Sequence, residues 1–201
     1  MSGEDGYIKF HADWEKGEAP DASFLADMIA VRSKLFRLGW IGVYPDGVGF
    51  GNISKRLDPQ GRFAISGTAT GHLEALSPAH FSLVTEADLA ANRVSCAGPV
   101  LASSESMSHA AVYKSCPEAG GVIHIHDRKL WEQWIRRAPT TPVSATYGTP
   151  EMAFSIMDIL ADPALRAWKF LVMAGHPEGC ISFGKDVWEA LEVVLLMKLK
   201  S

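Results

Sequence analysis

The chain has 201 residues, 47% of them hydrophobic, and a formal net charge of -4, so it is long enough to bury one sizeable core. Lys and Arg form no cluster and no apolar run resembles a membrane span or a secretion signal, which excludes nucleic-acid-binding, membrane-spanning and secreted classes. Three scattered cysteines, Cys96, Cys116 and Cys180, exclude a disulfide framework and indicate a reducing compartment. We expect a cytoplasmic protein with a single domain over residues 1–201, of which residues 1–20 form a loose N-terminal extension.

The first half of the chain is predicted to form one long helix followed by an antiparallel sheet. Apolar residues recur at helical spacing over residues 21–38, and Gly39 follows as a stop signal. Short apolar or alternating segments come next, separated by Asp-Gly and Pro-containing turns that reverse the chain. These predicted strands are residues 40–44, 48–54, 62–66 and 81–83.

The second half alternates helices and strands irregularly, without the regular period of a doubly wound fold. Helices are predicted over residues 104–115, 129–137, 152–160 and 186–198, and strands over residues 121–126 and 170–174. One stripe of the last helix is apolar, which predicts either core packing or a subunit contact. Its residues are Val187, Trp188, Leu191, Val194 and Leu195.

Two histidines one residue apart, His124 and His126, lie in the predicted strand over residues 121–126. Side chains at i and i+2 of a strand leave the same face of the sheet, so both imidazoles can converge on one point. A metal ion and a pair of hydrogen-bonded core histidines both account for this spacing. Glu105 and His176 favour the metal, because three imidazoles are a common ligand set for a catalytic divalent ion and a nearby carboxylate completes a reaction site.

Three segments rich in small residues indicate an anion-binding site. Residues 49–54 and 66–71 combine glycines with small polar residues at strand ends, where the backbone can approach an anion closely. Ser103-Ser104-Glu105 opens a predicted helix, whose first N–H groups and dipole favour negative charge. Each segment alone is more typical of an ordinary turn or helix cap. Together they make a phosphate or carboxylate site credible.

In chain order, these motifs resemble those of the class II aldolase/adducin family. The resemblance rests on Gly51-Asn52-Ile53-Ser54, Ser66-Gly67-Thr68, Ser103-Ser104-Glu105 with His109, His124-x-His126, Gly148-Thr149-Pro150-Glu151, and His176 with Gly179. It extends from about the first predicted helix to the last. The family includes sugar-phosphate aldolases and a sugar-phosphate epimerase.

The resemblance implies a three-layer α/β/α fold around a mainly antiparallel sheet, assembled as a homotetramer with active sites at subunit boundaries. It implies that His124, His126 and His176 hold Zn²⁺ or another divalent ion such as Mn²⁺ or Co²⁺, and that Glu105 is the general acid/base. The substrate phosphate would be bound by the loops that contain Asn52, Ser66, Gly67, Ser103 and Ser104.

These residues suit a lyase of the aldolase type acting on a small phosphorylated or carboxylated hydroxyketone. A divalent ion bound to the carbonyl and hydroxyl oxygens of a ketose polarises them, so an enediolate can form and a carbon–carbon bond can be cleaved or made. Glu105 can move the proton if its pKa is tuned. An epimerase, decarboxylase or dehydratase can use the same site. A non-catalytic adducin-like binding domain is a third interpretation, against which the retained histidines argue.

The sequence departs from the sugar-phosphate aldolases of that family after His126. The segment before Gly148 is shorter and lacks the tyrosine that assists protonation there. In the helix predicted to replace it, Arg136 or Arg137 either recognises a substrate carboxylate or lies on a solvated face.

The roles of three further residues stay open in the sequence. Glu178, in an insertion between His176 and the following glycine, is either a site carboxylate or an exposed turn residue. His109 either orients Glu105 from the next helical turn or simply packs. Asp127 either hydrogen-bonds a ligating imidazole or ends its strand in solvent.

Overall fold

The computed structural model describes residues 8–200, and its central element is a sheet of eight strands. These strands are β1 (His11–Lys16), β4 (Asn52–Arg56), β5 (Phe63–Ser66), β6 (Phe81–Asp88), β7 (Arg93–Gly98), β8 (Gly121–His126), β9 (Phe170–Val172) and β10 (Gly179–Gly184). Their order is β1-β7-β6-β5-β4-β8-β10-β9, and all neighbours except the parallel pair β1 and β7 are antiparallel. A separate hairpin pairs β2 (Gly42–Val43) with β3 (Gly49–Phe50).

Helices with conventional caps connect and cover the strands. Within the described residues they are α1 (Ala22–Arg37), α2 (Ser106–Ser115), α3 (Arg128–Trp134), α4 (Pro150–Ala161), α5 (Pro163–Arg166) and α6 (Val187–Leu199). Helix α1 begins after Asp21, whose carboxylate accepts the N–H of Phe24 at 2.9 Å, and Gly39 follows its end with φ +72°. No helix in this part of the chain combines the length and apolarity needed to cross a membrane.

Two hydrophobic clusters cover opposite faces of the sheet. Strand β8 shows the separation, since Val122 belongs to one cluster, whereas Ile123 and Ile125 belong to the other. Helices α2 and α4 pack in the cluster of Val122, and α1 and α6 pack in the second. The predicted three-layer α/β/α arrangement around a mainly antiparallel sheet is confirmed.

Several element boundaries differ from the prediction because tertiary pairing overrides weak local signals. Strands β7 and β10 are rich in Gly, Ser, Ala and Cys, which carry little strand propensity, and neither was predicted. Residues 11–16 of the predicted loose extension form strand β1, paired with β7, so that part of the expectation is wrong. The polar start of the chain over residues 1–7 lies outside the described residues.

A glycine divides the single strand predicted over residues 48–54. Gly51 has φ +72° between β3 and β4, and a Cβ there would lie 2.8 Å from the carbonyl oxygen of Trp40. A side chain would therefore need both a strained backbone and displaced neighbours. The kink directs β2 and β3 away from the large sheet and over the carboxyl end of β8, where the Phe50 ring stacks on His126 with centroids 5.4 Å apart.

The apolar stripe of α6 is only partly buried in one copy of the chain. Val187, Leu191 and Val194 lie in the core, as expected. Trp188 and Leu195 remain 38% and 37% exposed, because the helix is apolar on more than one face.

Candidate metal centre

The two histidines of β8 and one histidine from the loop before β10 meet at the end of the central strands. His124 and His126 point to the same side of β8, and β8 pairs with β4 on one side and β10 on the other. The turn between β9 and β10 carries His176 to this point. All three side chains are buried, with 1%, 4% and 3% of their surface exposed. The structure thus brings together the three predicted metal ligands.

The three imidazoles converge closely enough to share one ion. One nitrogen from each ring lies within 4.8 Å of the others, and Nε2 of His126 is 3.0 Å from Nε2 of His176. Nitrogens bound to one tetrahedral ion at about 2.0–2.1 Å lie about 3.3 Å apart, so this spacing fits a shared metal. Nε2 of His124 is buried and has no hydrogen-bond partner among residues 8–200. An ion bound by all three nitrogens would satisfy it.

Gly179 makes this convergence possible. A Cβ at this position would lie 2.7 Å from Cδ2 of His176 and 3.2 Å from Nε2 of His124. Any side chain would therefore push apart two of the three imidazoles. This glycine follows the Pro177-Glu178 insertion, and it keeps the tight packing that the ligand set requires.

Burial holds the imidazoles in the neutral form that binds metals. Desolvation lowers the pKa of His126 to about 3. It also lowers the pKa values of His124 and His176 well below 6.5, and the neighbouring imidazoles lower them further. A neutral imidazole has one nitrogen lone pair to offer, so each ring is ready to bind an ion without first losing a proton.

A hydrogen-bond chain to a carboxylate orients His126. Its Nδ1 lies 2.8 Å from the hydroxyl of Tyr44, and that hydroxyl donates to Oε2 of Glu178 at 2.8 Å. Because Tyr44 has a single hydroxyl proton, Nδ1–H of His126 must donate to the tyrosine oxygen, and the lone pair is left on Nε2. Glu178, for which sequence left two roles open, therefore acts on the site through Tyr44.

A second, buried chain orients His124. The amide of Asn52 lies 3.4 Å from Nδ1 of His124 and 2.6 Å from Nε2 of His109. His109 continues through Ser54 at 2.6 Å to the hydroxyl of Tyr113, 2.8 Å further. An amide has one donating and one accepting end, so it fixes complementary tautomers on the two rings. As placed, the amide nitrogen donates to Nδ1 of His124 and the amide oxygen accepts from Nε2–H of His109. Binding of a metal by Nε2 of His124 would need the amide turned over, so that its oxygen accepts from Nδ1–H of His124.

His109 therefore neither orients Glu105 nor simply packs, the two roles considered from the sequence. Its side chain contacts Asn52 and Ser54, while only its backbone N–H reaches Glu105, at the carbonyl oxygen. Burial lowers the pKa of His109 to about 3, so the ring is neutral and can both donate and accept.

Glu105 lies in the same cavity as the histidines but outside their cluster of ligand atoms. It precedes α2 and is only 2% exposed, and its Oε2 accepts a hydrogen bond from the hydroxyl of Ser108 at 2.6 Å. A buried carboxylate with a fixed orientation beside the ligand set is suited to moving a proton on a bound substrate.

The cavity has a volume of about 240 Å³ and is lined by most of the predicted substrate-binding residues. Asn52, Gly67, Ser103 and Ser104 all line it. Ser66 does not; its hydroxyl instead accepts the N–H of Ile53 at 3.3 Å. Within the described residues, no Lys or Arg lines the cavity, and Nζ of Lys9 lies 3.9 Å from the centre of the Tyr147 ring, which does line it. Backbone N–H groups and hydroxyls along the wall are available to an anion.

One lining residue, Tyr147, was not singled out from the sequence, and it lies against His176 with ring centroids 4.7 Å apart. Residues 68–71, which belong to the predicted small-residue segment 66–71, form one wall. The only sequence signal for Tyr147 is its place directly before the Gly148 motif. No sequence pattern pointed to Tyr44, because only the fold of the hairpin of β2 and β3 brings it to His126 and Glu178.

The arginines after β8 lie away from the cavity. Helix α3 places Trp134 in the second hydrophobic cluster, and Arg137 lies over that indole ring at 4.9 Å. Arg136 and Arg137 do not line the cavity, which leaves the solvated-face alternative. Asp127 caps α3 through Leu130 and binds Trp40 and Lys198, not an imidazole.

Comparison with known proteins identifies a family. Residues 26–198 match the model of the class II aldolase and adducin N-terminal domain. No curated protein is significantly similar to the chain in sequence.

Solved structures share the fold at low identity. L-fuculose 1-phosphate aldolase aligns with a TM-score of 0.66 and 18% identity, covering 89% of this chain and 84% of its own. YgbL from Klebsiella pneumoniae, provisionally described as an aldolase/epimerase/decarboxylase, aligns with a TM-score of 0.66 and 18% identity. The alignment covers 88% of this chain and 86% of YgbL. A sugar-phosphate aldolase from Thermotoga maritima aligns with a TM-score of 0.62 and 17% identity, covering 88% of this chain and 91% of its own. At these identities the similarity concerns the fold.

Proposed function

The chain belongs to the class II aldolase and adducin N-terminal domain family, and from this premise we propose that it is a divalent-metal-dependent lyase of the aldolase type. Its substrate would be a small phosphorylated or carboxylated hydroxyketone, in which a carbon–carbon bond is cleaved or formed. The observation that carries the proposal is the buried cluster of His124, His126 and His176 in one cavity with Glu105.

His124, His126 and His176 would hold the metal. The ion would supply Lewis-acid polarisation of the carbonyl and hydroxyl oxygens of the substrate. Three neutral imidazoles suit Zn²⁺, and Mn²⁺ or Co²⁺ are alternatives. The hydrogen-bond chain through Tyr44 keeps His126 in the tautomer that leaves a lone pair on Nε2 for the ion.

The remaining residues of the cavity would bind the substrate and move its proton. In the bond-forming direction Glu105, oriented by Ser108, would take the proton from the carbon beside the carbonyl, and in the cleavage direction it would donate a proton to that carbon after the carbon–carbon bond has broken. Asn52, Gly67, Ser103 and Ser104 would bind the anionic group of the substrate. The volume of the cavity, about 240 Å³, suits a small substrate.

An epimerase, decarboxylase or dehydratase is a second candidate. Residues 127–146 contain no tyrosine, so the tyrosine that assists protonation in related aldolases is missing there, and the tyrosine that lines the cavity is Tyr147, directly before Gly148. Reactions that need only a metal and one acid/base residue would be unaffected by this difference. A binding domain without catalysis is disfavoured, because it would have no need for three converging buried imidazoles.

We also propose a homotetramer as the functional assembly. Large apolar side chains on the last helix remain solvent-exposed in a single copy, among them Trp188, Leu195, Leu196 and Leu199. A second copy of the chain would remove this surface from water. Sedimentation analysis of the wild-type protein and of Leu199→Glu tests this part of the proposal.

The decisive experiment is proton exchange with solvent. Zinc-loaded protein is incubated with dihydroxyacetone phosphate in heavy water, and NMR follows exchange at the carbon beside the carbonyl. We expect exchange in the wild-type protein and in Glu151→Gln, a control at an exposed carboxylate in the first turn of α4. Glu105→Gln should retain bound zinc and lose the exchange.

Each result bears on a different part of the proposal. Full activity in Glu105→Gln would refute the assignment of the base. Zinc binding without exchange in the wild-type protein would refute a triose phosphate as substrate. Purified protein that neither contains nor binds a divalent ion would refute the enzymatic proposal as a whole.

A further inference from the structure

Arg32 is a fully buried cation that the proposed chemistry does not use. It lies in α1, is 1% exposed, and donates hydrogen bonds to the carbonyl oxygens of Thr70 at 3.1 Å, Gly71 at 3.2 Å and Glu74 at 3.0 Å, and also to that of Leu73. Burial lowers its pKa to about 10, so it is charged at neutral pH. Among residues 8–200, no carboxylate pairs with it.

The loop that Arg32 binds is also a wall of the cavity. Residues 68–71 line the cavity, whereas Arg32 does not. Arg32 reaches the loop from α1, which packs on the face of the sheet that carries Ile123 and Ile125. The loop therefore has one side toward a buried positive charge and the other toward the proposed substrate.

The carbonyl contacts determine where the N–H groups of this loop point. Peptide bonds in this part of the chain are trans, so each N–H points opposite to the carbonyl of the preceding residue. When Arg32 binds the carbonyls of Thr70 and Gly71, the N–H groups of Gly71 and His72 are directed away from Arg32. The N–H groups of Ala69, Thr70 and Gly71 donate to no other residue among those described. Ala69 adds a left-handed conformation, φ +57°.

We propose that Arg32 is a positioning residue that prepares the loop of residues 68–71 to bind the phosphate dianion of the substrate. It would do so in two ways: its fork-shaped guanidinium fixes the carbonyls, and its charge raises the electrostatic potential on the N–H side of the loop. A bound dianion would in turn compensate the buried cation. The inference rests on the proposed function, which requires an anionic group at this loop, and it favours a phosphorylated over a carboxylated substrate.

A purely structural role for Arg32 makes a different prediction. If Arg32 only kept the loop folded, its loss would lower stability, metal binding and anion binding together. An electrostatic role instead affects anions selectively and affects a dianion more than a monoanion, because the interaction energy scales with ligand charge. If loss of the charge weakens phosphate binding by about tenfold, it should weaken acetate binding by about threefold.

Arg56 provides a matched control. Its guanidinium also donates to three backbone carbonyls, at Ala119, Tyr113 and Cys116, but none of these residues lines the cavity. Arg56→Gln should therefore lower stability without changing anion affinity. The test variants are Arg32→Gln, which keeps hydrogen-bond donors and loses the charge, and Arg32→Lys, which keeps the charge and loses the fork.

The experiment measures inorganic phosphate, acetate and Zn²⁺ binding to the full chain by calorimetry, with NMR shifts of the Gly67 and Gly71 amides locating the anion. We expect Arg32→Gln to weaken phosphate binding by about tenfold, equivalent to about 1.4 kcal/mol, and acetate binding by about threefold. Zinc affinity should be unchanged in all variants. Arg32→Lys should retain phosphate affinity to within about threefold.

Four results would overturn the inference. Equal phosphate affinity in the wild-type protein and Arg32→Gln would refute the role of the charge and leave the proposed function intact. Parallel loss of phosphate, acetate and zinc binding would show a structural role only. No phosphate binding at this loop in the wild-type protein would refute the inference and the phosphorylated substrate, while proton exchange at the metal site would still test the lyase. If Arg32→Gln does not fold, a loss of phosphate affinity in Arg32→Lys much greater than threefold likewise refutes the electrostatic role.

Discussion

Replacing Tyr44 by Phe tests whether the chain that ends at Glu178 sets the metal affinity of the site. The variant removes one hydroxyl and with it both hydrogen bonds, the 2.8 Å contact to Nδ1 of His126 and the 2.8 Å contact to Glu178. It leaves the Nδ1–H of a buried imidazole without a partner when Nε2 binds the ion. The ring itself stays, so its packing at 4.5 Å on Phe50 is preserved.

The expected loss can be worked out in two independent ways. Loss of a hydrogen-bond partner behind a metal ligand typically reduces metal affinity by about 10–100-fold, which equals about 1.4–2.8 kcal/mol. An unsatisfied buried donor costs about 1–3 kcal/mol. The two free-energy ranges agree, so we expect the dissociation constant for Zn²⁺ to rise by about one to two orders of magnitude.

Competition with a chromogenic chelator measures this change directly. Glu178→Gln should have a smaller effect in the same direction, because the amide still accepts the tyrosine proton but carries no charge. Glu132→Gln is the matched control, since Glu132 pairs with Arg128 on the exposed side of α3. An unchanged zinc affinity in folded Tyr44→Phe would refute the argument that this chain orients His126.

Three further predictions concern the ligand cluster and its surroundings. Gly179→Ala should fold yet lose most of its zinc affinity, because the new Cβ would lie 2.7 Å from His176 and 3.2 Å from His124; zinc content after dialysis checks this. Zn²⁺ at about one hundred times its dissociation constant should raise the free energy of unfolding by about 2.7 kcal/mol, and a melting temperature insensitive to chelator would contradict it. The pKa of His109 is about 3 in the folded chain against 6.5 when unfolded, so only the unfolded chain gains a proton between these values. Stability of the metal-free protein should therefore fall as the pH decreases through this window, by up to about 1.4 kcal/mol per pH unit from this residue, and urea unfolding of His109→Gln should lack that contribution.

The sequence was most informative where a local signal agreed with the tertiary structure. Strand β8 was predicted with its observed limits, because a run of β-branched residues between turns is consistent with burial on both faces. Helices α1 and α6 were predicted within one residue at each end, since Asp21 and Asp186 cap their first turns. The placement of His124 and His126 on one face of β8 followed from strand geometry, whereas their role as metal ligands stays a prediction.

Other features depend on contacts that no local pattern encodes. Strand β10 begins and ends with glycine, so its sequence is more typical of a turn, and only pairing with β8 and β9 makes it a strand. The β2–β3 hairpin was predicted as a hairpin, but its position over the metal site depends on the kink at Gly51. The contribution of Tyr44 was therefore not predictable from its neighbours in sequence.

The insertion after His176 illustrates how a departure from a family pattern can be compensated within one site. Glu178 adopts a left-handed conformation with φ +70°, which is costly for a residue with a side chain. Its carbonyl accepts the N–H of Asp127 at 3.0 Å, at the end of β8, while its carboxylate reaches Tyr44. The strained turn thus connects the loop that carries His176 to the end of β8, and it places a carboxylate behind His126 through Tyr44.

The two hydrogen-bond chains consequently give the ligands different properties. The chain behind His126 ends in the carboxylate of Glu178, which strengthens the donation from Nδ1–H and makes Nε2 a better ligand. The chain behind His124 contains only neutral groups and ends at the buried Tyr113. Substitutions at Tyr44 should therefore act mainly on metal affinity. Substitutions at Asn52, whose amide also lines the cavity, should affect metal and substrate binding together.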